Sequence, residues 1–315
     1  MRTGVSYMGH HNPRHLATDL ADMAALGCDD VLVAAQENDF VHMTGKIQFL
    51  PKIARDHGIR PIAIFWGALN LFGGGRSSQL LLDHPAAWQV NRFGQPRPHG
   101  CYNNPICVGR IQEMIDRIAE VGFQGYFVDE PTAMNCFCNS CRRLFGRWYH
   151  AELSEAEPAR LAEFNSRCVV EYVRKIAEYC KRRHPQLETQ CCVMPHDKTL
   201  WPAMAQIAEL DNLGTDLYWV NNDRDVQEMK PIVSELAATC RSAGKKHHEW
   251  LQAWIVRKGR EHRIIEQGDV LIGEQPDALY VWAYLSQIGT TESSQDPEAV
   301  WAAACELLRR AKASG

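Results

Sequence analysis

The chain has 315 residues, 45% of them hydrophobic and 23% charged, with 34 basic residues against 38 acidic ones and a net charge of −4. That composition belongs to a globular protein able to bury a large core, and it offers no basic run for nucleic acid or an anionic membrane. No apolar stretch approaches the roughly 18–20 residues of a membrane span, and the first residues carry no charged-then-apolar export signal, so the twelve cysteines read as thiols of a reducing cytoplasm rather than as a disulfide framework.

A short apolar run followed by a helical stretch recurs along the chain. GVSYMG (4–9) leads into a helical pattern over 16–27, and DDVLVAAQEN (29–38) into a helix ending near His57-Gly58. RPIAIFWG (60–67) precedes a long irregular segment, and a helix over 106–122 delivers the chain to FQGYFVDEP (123–131). A long helical region, interrupted near Glu157-Pro158, runs to about Arg183. LETQCCVMPHD (187–197), DNLGTDLYWVN (211–221), KKHHEWLQAWI (245–255) and DALYVWAYL (277–285) follow as strands, and a helix over 297–312 closes the chain. Helical patterns over 200–210 and 226–244 lie between the middle strands.

Eight apolar strands, mostly separated by helices, predict a parallel sheet closed into a single (β/α)8 barrel over residues 1–315. The alternative, an open doubly wound sheet, lacks a glycine-rich turn after its first strand, since GGGR (73–76) falls inside the long loop.

In such a barrel the chemistry gathers where strands end and βα loops begin. Those ends carry His10 and His11, Gln36, Glu37 and Asp39, Trp66, Asp129 and Glu130, His196 and Asp197, then Asp216, Tyr218, Trp219 and Asn221, Gln252 and Trp254, and Trp282 and Tyr284. Aromatic faces and planar polar groups in one ring suit a polyhydroxylated ligand, with His10, Trp66, His196, Tyr218, Trp219, Gln252, Trp254 and Trp282 expected to bind it. Cleaving a glycosidic bond takes two carboxyl groups. Asp129 and Glu130 are adjacent, so on a continuing strand they point apart, and one of them needs a partner from another strand. Glu37 is the first candidate, followed by Asp39, Asp216 and Glu249.

Cys136, Cys138 and Cys141 form CxCxxC, a spacing at which thiolates converge on one zinc ion given a fourth ligand. Cys101 is taken as that ligand, with Cys107 and His99 as alternatives, and the metal is expected to be structural, pinning the fourth βα loop. HPAAWQVNRFGQPRPHGCYNNP (84–105), GYFVDEP (125–131) and CFCNSCRRLFGRWY (136–149) resemble a family of glycoside-hydrolase-like barrels related to the α-amylase and β-galactosidase groups, over under a quarter of the chain. The resemblance implies a (β/α)8 fold, a carbohydrate ligand and a catalytic acid at the end of strand four, a place held by Asp129 and Glu130. It also implies a nucleophilic glutamate at the end of strand seven, where HHEWLQAWIV has Gln252.

The expected function is hydrolysis of a small saccharide or glycoside. The alternatives are a metal-dependent sugar isomerase, epimerase or lyase with Glu37, Asp129 and His196 on one cation, and a sugar-binding barrel without catalysis. A homo-oligomer stays open.

Overall fold

A computed structural model describes residues 1–71 and 77–314, so the GGGR stretch lies outside the described residues. Among the described residues ten strands run in chain order: β1 (Arg2–Tyr7), β2 (Asp30–Ala34), β3 (Arg60–Ile64), β4 (Trp88–Val90), β5 (Pro96–Gly100), β6 (Gly125–Val128), β7 (Glu188–Cys192), β8 (Asn212–Asp216), β9 (Lys246–Gln252) and β10 (Ala278–Trp282). Eight of them close into a barrel in the order β1-β2-β3-β6-β7-β8-β9-β10, every neighbour parallel, with β10 returning to β1. All eight expected strands are present; β1 begins two residues earlier than its run, and the other seven are shorter than theirs.

The strands are buried on both faces because two apolar layers meet on them. Outward residues such as Val31, Leu213 and Leu279 pack with helix residues such as Leu16, Ile115 and Leu307. Inward residues, among them Ile62, Phe127, Trp250 and Tyr280, fill the barrel. Gly214 shows how tight that filling is: a Cβ there would stand 2.2 Å from the ring of His248, which is bound through Nδ1 to Asn212 Oδ1 at 2.8 Å.

The N-terminal pole is sealed by ions. Fully buried Asp30 accepts from Arg2 at 2.6 Å and Arg60 at 2.8 Å, and Arg60 also pairs with Glu188. Helices start where caps place them: Asn12 accepts the N–H of Arg14 at the head of Pro13–Ala25, and Asn104 that of Ile106 at the head of Pro105–Val121.

Three local expectations are corrected. The irregular segment after β3 holds a short helix, Gln79–Asp83, and the antiparallel pair β4–β5. The helix expected over 200–210 is regular only over Trp201–Ala205. The second strand ends at Ala34, so Glu37 and Asp39 sit in the helix Glu37–Val41 and not at a strand end. No helix among the described residues is long and apolar enough to cross a membrane.

Candidate active site

β6, the fourth barrel strand, stops at Val128. Glu130 then takes a left-handed φ of 38°, an uncommon conformation for a residue with a side chain and one that turns the chain before Pro131. The alternation of a strand is broken there, and Asp129 and Glu130 line the same two cavities at the barrel mouth.

The inner cavity, about 140 Å³, is a well walled by Trp66, Tyr218, Trp250, Trp254 and Trp282, with carboxyl groups from Asp129, Glu130, Asp216 and Glu292. Its rings meet edge to face, Trp66 and Trp250 each 5.8 Å from Trp282 and Tyr218 5.7 Å from Trp254. The outer cavity, about 440 Å³, opens between the loop after β3, the β4–β5 hairpin and the loop after β6. Trp66, Asp129 and Glu130 belong to both, while Arg97, His99, Gln89 and Tyr102 line only the outer one. Desolvation, then the charge of Arg97, lowers the pKa of His99.

The well holds protons. Burial, then the neighbouring Glu130 carboxylate, pushes Asp129 up to about 8. Asp216, 3% exposed, is held well above the carboxylate range by burial first, then by its hydrogen bond to Glu130 and by the charges of Glu130 and Asp129. Like charges in a low-dielectric pocket resist ionising together, so Asp129 and Asp216 both keep their protons well above the ordinary carboxylate range. A carboxyl tuned to lose its proton near neutrality suits general-acid work.

Other expected site residues are placed elsewhere. Glu37 is buried outside both cavities; it accepts from Ser78 Oγ, from Leu80 N–H at 3.1 Å and from Leu69 N–H at 3.4 Å. It therefore anchors the loop after β3. Asp39 pairs with buried Lys46 at 2.9 Å. Glu249 lies on the helix side of β9 against His247 at 2.6 Å. Gln252 is buried and acts as a brace, accepting the Val220 N–H at 3.0 Å and donating to the Trp254 carbonyl at 3.3 Å. Trp219 is buried under the Arg224 guanidinium at 3.6 Å. His196 is exposed on the rim, 3.7 Å from Asp197. His10 borders a separate cleft of about 190 Å³ between the loops after β1 and β10. Glu37, Asp129 and His196 thus do not converge on a common cation. Trp250 and Glu292 line the well without having been singled out in the sequence: Trp250 reads as strand filling, and Glu292 lies in a loop with no pattern to mark it.

Beside the outer cavity, Cys101, Cys136, Cys138 and Cys141 are all buried, with their sulfurs within 4.8 Å of one another, and could hold a metal ion. Cys101 Sγ lies 3.5 Å from Cys141 and 3.6 Å from Cys138. The Val90 N–H donates to Cys136 Sγ at 3.4 Å and Asn103 Nδ2 to Cys141 Sγ at 3.3 Å. The alternatives for the fourth position are occupied otherwise: Cys107 Sγ donates to the Ala87 carbonyl at 3.5 Å, and His99 faces the outer cavity.

No protein family's model matches the chain, and neither does any curated protein. Solved structures do match, at the level of the fold. The chain is similar over 99% of its length to the β-galactosidase of the haloarchaeon Halorubrum lacusprofundi, at 17% identity and a TM-score of 0.75, covering 58% of that chain. It is similar, again over 99%, to the cold-adapted β-galactosidase of Rahnella sp. R3 at 15% identity and 0.76, covering 56% of that chain. The endo-1,4-β-mannanase of Rhizomucor miehei matches over 98% of this chain and 95% of its own, at 11% identity and 0.66. The chain therefore has the (β/α)8 fold of these glycoside hydrolases, and it spans little more than half the length of the β-galactosidases.

Proposed function

We propose that the protein is a glycoside hydrolase acting on a small saccharide or glycoside, with Asp129 as its general acid. The observation that carries this reading is the place of Asp129 on the wall shared by an aromatic well and a wider outer cavity, where burial and the neighbouring Glu130 carboxylate push its carboxyl up to about 8. A sugar ring in the inner well stacks its C–H faces on Trp66, Trp250 and Trp282 and offers its hydroxyls to the carboxyl groups. The leaving group occupies the wider outer cavity, and Asp129, common to both, stands at the bond between them. As that bond breaks, Asp129 gives its proton to the departing oxygen, while a carboxylate attacks the anomeric carbon or takes a proton from water. Burial and the Glu130 carboxylate hold the acid protonated until then.

The four cysteines fit zinc. A tetrahedral ion with Zn–S bonds near 2.3 Å sets its sulfurs about 3.8 Å apart, close to the 3.5 and 3.6 Å found. All four thiolates would be used, so the ion would be structural, tying the hairpin end at Cys101 to the loop that follows the catalytic strand.

The reading is tested by turnover of a panel of aryl glycosides and short oligosaccharides by the wild type, D129N and E130Q. Hydrolysis by the wild type that D129N abolishes with folding intact supports it. Saccharide binding without turnover across the panel replaces it with the non-catalytic binding protein.

A further inference from the structure

We infer that Glu292, from the loop after β10, is the second catalytic carboxylate of this site, an assignment that rests on the glycosidase reading above. Acid and partner must flank the reacting bond, roughly 5–9.5 Å apart. β6 and β10 stand four places apart in the ring of eight strands, so the strand that ends at Asp129 and the strand whose loop carries Glu292 lie on opposite sides of the barrel. Asp129 and Glu292 line the same 140 Å³ well. The other carboxyls there are tied to the acid: Glu130 adjoins Asp129 in the chain, and Asp216, at the end of β8 midway between β6 and β10, is a buried acid bonded to Glu130. At the end of β9, where the resemblance calls for a glutamate, Gln252 acts as a brace.

The Glu292 backbone is fixed while its carboxylate is free. Its N–H donates to Thr290 Oγ1 at 3.1 Å, its carbonyl accepts from Ile255 N–H at 3.0 Å, and its carboxylate has no partner among the described residues. The loop that carries it departs from easy backbone geometry, with Leu285, Ser286 and Gln287 in succession at φ of 49°, 54° and 55°. It is closed on itself by Ser286 Oγ to Ser294 Oγ at 2.6 Å and held to the chain after β9 by Val256 N–H to Ser294 Oγ at 2.9 Å. Backbone strain kept in place by such ties concentrates where a side chain must be aimed.

In the reaction the Glu292 carboxylate either bonds to the anomeric carbon as the C–O bond breaks or takes a proton from the water that does. The electron pair of the broken bond goes to the leaving oxygen, which receives the proton of Asp129. The test is the kinetics of E292Q and E292A, beside wild type and D129N, with and without sodium azide. Expected are a loss of about 10²–10⁴ in kcat/KM for E292Q at unchanged Tm, and turnover by E292A restored by azide with a glycosyl azide as product. Wild-type kcat/KM in E292Q while D129N is inactive overturns the assignment and leaves the glycosidase reading standing. Loss without azide rescue, or with a lowered Tm, makes Glu292 structural and also overturns it. A wild type that hydrolyses no member of the panel overturns both.

Discussion

Asp129 and Glu130 are neighbours in the chain and line the same two cavities, an arrangement that a continuing strand would forbid. The left-handed turn at Glu130 makes it possible, and its consequence is electrostatic: after burial, the Glu130 carboxylate is what keeps the proton on Asp129.

That proton sets the pH response. Asp129 is competent as an acid while protonated, so kcat/KM falls as pH rises through about 8, tenfold per unit beyond it. Its folded pKa lies above the unfolded value of about 3.9, so the folded state binds the proton more tightly. The stability this contributes is present at low pH and lost as pH climbs towards 8. Thermal melts of wild type and D129N across pH 4–9 should show wild type losing Tm over this window relative to the variant.

The cysteine cluster predicts one zinc per chain by elemental analysis. Replacing Cys138 or Cys136 with serine should release the metal and cost several kcal/mol, a Tm lower by on the order of 10 °C. Metal-free wild type of undiminished Tm would count against the assignment.

Glu37 separates architecture from chemistry. Its carboxylate serves buried donors from Ser78, Leu80 and Leu69. E37A should lower stability by about 2–3 kcal/mol in denaturant melts, the cost of stranding those donors, while kcat/KM stays within about threefold of wild type.

Trp66 borders both cavities and should contact the ligand on either side of the cleaved bond. W66A is expected to raise KM or Kd by about tenfold, near 1.4 kcal/mol, through lost stacking. Saccharide titrations of the variant measure this directly.

The barrel was legible in the sequence because its strands are apolar on both faces, as in LETQCCV and DALYVW. The β4–β5 hairpin was not, since Pro96–Gly100 is polar, largely exposed and rich in proline. Asp129 stood out at the end of its apolar run, while Cys101 was one of three candidates in the long loop for the fourth ligand, and only the fold brings it, rather than Cys107 or His99, beside the other three thiols. Glu37 misled because the chain leaves β2 three residues earlier and turns helical. Glu292 could not be found from periodicity: only the fold of its loop brings it to the well.

The central claim, that Asp129 donates the proton to the leaving group, is tested most directly by comparing D129N with wild type on aryl glycosides of increasing leaving-group pKa. The account predicts a small loss for dinitrophenyl glycosides, which leave without a proton, growing to about 10²–10⁴ for phenyl and alkyl ones. An equal loss on every substrate, or none, would contradict it.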